Sequence, residues 1–97
     1  MGDRGARLVR TFVVERYLPA LTPNGVHAQA RREADVLSSS AGVRHLRTTY
    51  LCEDELCFSL FEAPSIDVLR GANELSDMPY ERITEAIDVT PDALEDR

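Results

Sequence analysis

Lysine is absent from the 97 residues, and all eleven basic side chains are arginine. With no primary amine on any side chain, Schiff-base and lysine-nucleophile chemistry is excluded. No apolar run approaches the roughly 20 residues needed to cross a bilayer, and residues 1–7 are charged where a secretory leader would carry its apolar segment. No membrane partner and a cytoplasmic location are therefore expected. Cysteine is confined to Cys52 and Cys57, and nothing in the sequence requires them to be oxidised. An excess of positive charge is also missing: the formal charge of -6 argues against nucleic acid as a partner, since affinity for phosphate backbones rests on clustered cations. Internal repeats and low-complexity segments are absent as well.

The remaining sequence is patterned throughout. Its length suits one domain over residues 1–97, with an ordered core over 7–90 and a polar tail over 91–97, but leaves little surface for a lone chain to bury. "RLVRTFVVERY" (7–17) is rich in β-branched and aromatic residues and carries apolar groups on both parities, which predicts a strand covered on both sides. Thr22 and Pro23 form a helix start, and Val26, Ala30, Ala34, Leu37 and Ala41 are spaced as a buried stripe, with Gly42 as a left-handed stop after about Ser40. "VRHLRTTYLCEDELCFSLFEA" (43–63) reads as a hairpin turning at Glu53-Asp54, or through a loop over 53–56, with Leu51 opposite Leu56, Thr49 opposite Phe58 and Arg47 opposite Leu60. Ser65 caps a short second helix ending near Leu75, and "RITEAIDV" (82–89) alternates as a last strand.

Strand, helix, strand, strand, helix, strand is the order of a ferredoxin-like βαββαβ sandwich: an α+β fold with a four-stranded antiparallel sheet and two helices on one face. Right-handed crossovers place the third strand between the first and second, and the fourth on the other side of the first. The strand with apolar groups on both sides then calls for a second subunit over the open face, a homodimer of the dimeric α+β barrel type.

Charge is divided by position. Residues 1–48 hold eight arginines against four acids, and residues 49–97 hold three against thirteen, so strands from the two halves are expected to pair their charges side by side. Cys52 and Cys57 flank the hairpin turn without the second pair a structural zinc site requires, which makes them packing thiols in a turn. His27 on the first helix and His45 at the start of the second strand are not spaced to share a helical face. Glu85 lies on the otherwise apolar parity of the last strand and needs a partner, a metal or a proton; Glu15, Tyr17, Arg47, Tyr50 and Glu62 are expected to share the open face with it as a polar cleft. Ser38, Ser39 and Ser40 lack a nucleophile-elbow context.

The stretches "FVVERYLPALTP", "GVRHLRTTYL", "CFSLFEAPS" and "MPYERITEAIDV" resemble a family of small actinobacterial ferredoxin-like proteins typified by a nickel-binding protein. The likeness runs from about Phe12 to Val89, and the all-arginine composition suits high-GC genomes. It implies a homodimer packed through its sheet face and a nickel-type divalent metal at its surface, with no organic cofactor. Members of that family often carry histidine at the positions of Tyr17 and Ala72; here Glu15 remains and His45 stands as a replacement, so Glu15, His45, Glu62 and His27 are the candidate metal ligands. A small cytoplasmic homodimeric binding protein is the expectation. The rival readings are a cofactor-independent oxygenase or isomerase with its substrate between sheet and helices, and a small-ligand sensor, both by fold analogy.

Overall fold

The computed structural model of the chain describes residues 9–91. Arg7 and Leu8, expected in the first strand, and most of the polar tail lie outside them. The elements are β1 (Arg10–Tyr17), α1 (Pro23–Leu37), β2 (Arg44–Leu51), β3 (Leu56–Ala63), α2 (Ile66–Leu75) and β4 (Arg82–Ala86). The antiparallel sheet has the order β2-β3-β1-β4, the arrangement that right-handed crossovers predict.

Alternation decides which side of the sheet meets the helices. Phe12, Val14 and Arg16 of β1 stand opposite Phe61, Ser59 and Cys57 of β3, and all six are buried. Phe12, Val14, Phe61 and Ala63 pack with Leu37 of α1 and with Leu69 and Ala72 of α2, so the core lies between this face and the two helices. The other face presents Val13, Glu15, Phe58, Leu60 and Glu62, and is called the open face below.

The hairpin has the expected register, with Leu51, Thr49 and Arg47 opposite Leu56, Phe58 and Leu60. Its turn spans residues 52–55, longer than two residues, because Glu55 takes φ 58° and closes on the Leu51 carbonyl at 2.8 Å. A bulge between His45 and Arg47 shifts His45 opposite Phe61 and puts it on the helix side. The cysteines differ from one another: Cys57 is buried opposite Tyr50, and Cys52 is exposed in the turn.

Both helices start where their caps require. The Thr22 hydroxyl accepts from Gly25 N at 3.0 Å, and the Ser65 hydroxyl accepts from Val68 N at 3.2 Å. α1 stops at Leu37, earlier than its apolar spacing suggests, as the chain tightens into turns through Ser39 and Ser40. Gly42, at φ +82°, is left-handed as expected but serves the entry to β2. β4 ends at Ala86, short of Val89, because Asp88 pairs with Arg47 on β2. Strands β3 and β1 separate β2 from β4, so the chain after Ala86 turns onto the open face as a strap, with Ile87 and Asp88 beside Val13, Phe58 and Leu60.

Two glycines test this packing in opposite directions. A Cβ on Gly42 would sit 2.7 Å from the Pro64 ring, in a backbone conformation that side chains disfavour, so Gly42→Ala is expected to cost about 1–3 kcal/mol. A Cβ on Gly71 in α2 meets nothing within 4 Å, so Gly71→Ala is expected to add about 0.5–1 kcal/mol. Urea unfolding of the two variants should move the midpoint in opposite senses.

Candidate functional site

The most constrained group in the molecule is Arg16. Its side chain is 2% exposed and its partner Glu33, on α1, is 0% exposed. Arg16 Nε donates to Glu33 Oε2 at 2.9 Å, Nη2 to Asn73 Oδ1 at 2.7 Å, and Nη1 to the carbonyls of Met78 and Pro79 at 3.3 and 3.1 Å. Gln29 donates to the same Glu33 oxygen at 2.6 Å, and Asn73 donates back to the Leu69 carbonyl at 2.8 Å. One guanidinium thus ties β1 to α1, α2 and the segment before β4. Glu33 Oε1 is buried without a hydrogen-bond partner. The sequence expectation of an aliphatic stripe on α1 missed this group, although the signal was there: Glu33 lies seven residues after Val26 and four before Leu37 on that stripe, and Arg16 shares parity with Phe12 and Val14.

Beside the network, a cleft of about 140 Å³ is lined by Arg16, Leu18, Arg32, Met78 and Pro79 among others. This is under half of the roughly 300 Å³ at which ordinary small-molecule pockets begin. Clefts of about 230 and 240 Å³ lie on the open face and beside Tyr80, and they also fall below that size.

The sequence-derived candidates divide between the two faces. Glu15 and Glu62 lie on the open face, each held by an arginine: Glu15 by Arg82 at 3.1 Å and Glu62 by Arg44 at 3.3 Å. Arg47 is on the same face, and Tyr17 closes its end, donating to Glu55 at 3.1 Å. Tyr50 and Glu85, expected on that face, are on the other. Tyr50 stands opposite Cys57 and donates to the Leu18 carbonyl at 2.6 Å. Glu85 stands opposite Phe12 at the sheet edge, where Arg10 grips both its oxygens at 2.9 and 3.1 Å. This bidentate contact holds the Glu85 carboxyl below its ordinary range and meets the partner requirement read from the sequence. His27 is exposed on α1 with no side-chain partner among the described residues, while His45 is half-buried under the helices. Among the described residues no three His, Cys, Asp or Glu side chains gather as a metal-holding group.

His45 packs edge-on to Phe61 at 5.3 Å between centroids, and its Nε2 lies 2.8 Å from Thr48 Oγ1. Thr48 Oγ1 is in turn 2.9 Å from Ser59 Oγ, which contacts Cys57 Sγ at 3.9 Å. Burial lowers the His45 pKa, with the charge of Glu33 opposing. Burial raises that of the Cys57 thiol, with Glu33 adding to it.

The acidic turn is a clamp. The Glu55 carboxylate accepts from Tyr17 Oη at 3.1 Å and from Ala20 N at 2.9 Å, and its carbonyl accepts from Leu18 N at 3.0 Å. It fixes the β1–α1 connection, where Ala20 holds a left-handed φ of 58°.

The open face is the least satisfied surface. Seven large apolar side chains are exposed among the described residues: Val9, Tyr17, Leu51, Val68, Leu75, Ile87 and Val89. Tyr17 and Leu51 project from the open face, Val9 continues its parity one residue before β1, and Ile87 and Val89 lie on the strap that crosses it.

The family model described as nickel responsive protein SCO4226-like matches residues 12–86, from the third residue of β1 to the last of β4. The chain belongs to the SCO4226-like family. A crystal structure of SCO4226 from Streptomyces coelicolor A3(2) superposes on this member with a TM-score of 0.69, covering 82% of this chain and 99% of that one at 15% identity, which establishes a shared fold. No curated protein sequence matches this SCO4226-like chain. Among its described residues no helix is long and apolar enough to cross a membrane.

Two outcomes follow for this family member. Arg16→Ala leaves Glu33 buried and uncompensated and is expected to cost about 3–5 kcal/mol, whereas Arg16→Met combined with Glu33→Leu should recover most of that loss, both read by denaturant unfolding. His45 binds its proton less readily folded than unfolded, so its contribution is complete above its ordinary pKa near 6.5 and is lost as pH falls below it. Replacing His45 by Gln should flatten the fall in stability between about pH 6.5 and 5, and an unchanged slope would refute this role.

Proposed function

We propose that this protein works as a homodimer stacked through its open sheet face and binds a nickel-type divalent cation at the rim of that interface, between Glu15 of one copy and Glu62 of the other. The supporting observation is the position of these two carboxylates. They share the face that the helices leave open, yet within one chain they sit apart: Glu15 is opposite Phe58 and Glu62 is opposite Thr11, four residues along β1, about 13 Å. A two-fold axis across the strands sets each over the other's counterpart. Membership of a family described as nickel responsive supplies the metal class.

The arginines now on these carboxylates form surface pairs of about 0–1 kcal/mol, so a cation can displace them at little cost. Neither imidazole belongs to the site: His45 lies on the helix side of the sheet, and His27 is on exposed α1. An oxygen-only site discriminates poorly between nickel and harder cations. Among the described residues the clefts of about 140, 230 and 240 Å³ are smaller than an ordinary substrate pocket and lend the rival enzyme reading no support.

Calorimetric titration with Ni²⁺ and Mn²⁺ tests the proposal. Both cations should bind with Kd on the order of 0.1 mM, about -5.5 kcal/mol, with Glu15→Gln or Glu62→Gln abolishing the signal and His45→Ala or His27→Ala leaving it intact. Dependence on His45 would sink the carboxylate site.

A further inference from the structure

Six of the eight arginines among the described residues lie in ion pairs, and Arg31 and Arg32 do not. Arg32 lines the cleft of about 140 Å³ beside Arg16, and so do Asp77 and Glu81. Neither of these carboxylates has a hydrogen-bond or ion-pair partner among the described residues. A cation and two acids thus border one cleft without meeting each other. We infer that this cleft binds a small neutral α-amino acid, its carboxylate toward Arg32 and its ammonium toward Asp77 and Glu81. The site needs neither the second copy nor the metal proposed above.

Charge selects a zwitterion over a simple ion. Arg16 also lines the cleft, but its guanidinium is occupied by Glu33, Asn73 and the Met78 and Pro79 carbonyls, and Glu33 cancels its charge. What is left at the mouth is one positive group against two negative ones, with Glu55 adding a third through its bond to Tyr17. A lone carboxylate would gain Arg32 and meet the repulsion of the acids; a lone amine would leave Arg32 unanswered. An α-amino acid answers both signs and leaves the balance of charge as it was. Volume restricts the side chain. An apolar cavity of about 150 Å³ takes a benzene ring, so a cleft of about 140 Å³ suits roughly six to eight non-hydrogen atoms, the range from alanine to valine. Half-buried Leu18 and buried Met78 supply an apolar wall for a short side chain.

The frame of the cleft is set without a ligand. Arg16 bonds the Met78 and Pro79 carbonyls on one side and Glu33, the neighbour of Arg32 on α1, on the other. The distance between α1 and the connection from α2 to β4 is therefore fixed by the buried network, and only the exposed ends of Arg32, Asp77 and Glu81 have to be ordered on binding. A rigid frame is a use for that network beyond stability, which its unpartnered Glu33 oxygen does not serve.

Titration of the full chain with L-alanine at pH 7 and constant ionic strength, followed in ¹H–¹⁵N spectra, tests the inference. The amide signals of Leu18, Asp77 and Met78 should shift with a Kd on the order of 1 mM, and those of Val13 and Leu60 on the open face should stay. Arg32→Gln and Asp77→Asn should each weaken binding at least 10-fold. Asparagine accepts the left-handed φ of 55° at position 77, so that variant removes charge without backbone strain. Arg31→Gln, which removes the other unpaired arginine and does not border the cleft, should bind as the wild type does. Propionate and alaninamide, each lacking one of the two charges, should bind at least 10-fold more weakly than alanine. No shift of the three amides at about 20 mM alanine overturns the site. Propionate or alaninamide binding as tightly as alanine, or Arg31→Gln weakening binding as much as Arg32→Gln, overturns the zwitterion.

Discussion

A charged group that cannot reach water must be satisfied where it stands, and Arg16 imposes that demand on the whole helix side of the fold. Its guanidinium offers five donors in a rigid plane, and four of its contacts run to three different segments: Glu33 on α1, Asn73 on α2, and the Met78 and Pro79 carbonyls before β4. Aliphatic side chains can slide past one another at modest cost, whereas a fork of short charge-assisted bonds has a single solution. The crossing of α1, the face of α2 and the point where the chain turns into β4 are fixed together by one residue. Glu33 meets Arg16 and Gln29 through a single oxygen and leaves the other buried and unpartnered, so the network is not optimal for stability alone. Such arrangements fit a demand for one arrangement over its neighbours in conformational space.

The elements legible in the sequence were those set by local rules. The caps at Thr22 and Ser65, the hairpin register and the strand order all follow from hydrogen-bonding capacity, period-two alternation and crossover handedness, and the structure has them as read. The differences arise where a distant partner decides. β4 stops early because Asp88 is drawn to Arg47 across the sheet, and no window around Ile87 contains that information. His45 faces the helices because a bulge adds Leu46 to β2. Glu85 was correctly read as a carboxylate in need of a partner, and it finds Arg10 at the opposite end of the sequence. The same reasoning applied to Arg16 and Glu33 would have exposed the buried pair; an arginine on the apolar parity of a central strand is the stronger anomaly of the two.

The charge blocks of the sequence resolve into the same logic of distant pairing. Arg10 with Glu85, Arg44 with Glu62, and Arg47 with Asp88 each join an arginine of the first half to an acid of the second, and Arg82 with Glu15 joins the halves the other way. These pairs lie at the surface, where each contributes little to stability. Their effect is on what the surface can meet, because they remove net charge from the sheet while leaving acidic groups elsewhere.

The two faces of the sheet therefore answer different requirements. On the helix side the buried Arg16 guanidinium is satisfied by four acceptors, and the adjoining cleft is too small for an ordinary substrate. The open face is apolar at its centre, and its carboxylates Glu15, Glu62 and Asp88 are each paired with an arginine. A protein of this size cannot keep such a face wet without loss, since each large apolar side chain left in water forgoes roughly 1.5–3 kcal/mol of transfer free energy. Retaining five of them on one side of the molecule while burying polar groups on the other is a poor solution for an isolated chain and a good one for half of a pair. In the proposed dimer the carboxylates Glu15 and Glu62 of opposite copies are the groups brought within reach of one another, which makes cation binding and assembly two tests of the same surface.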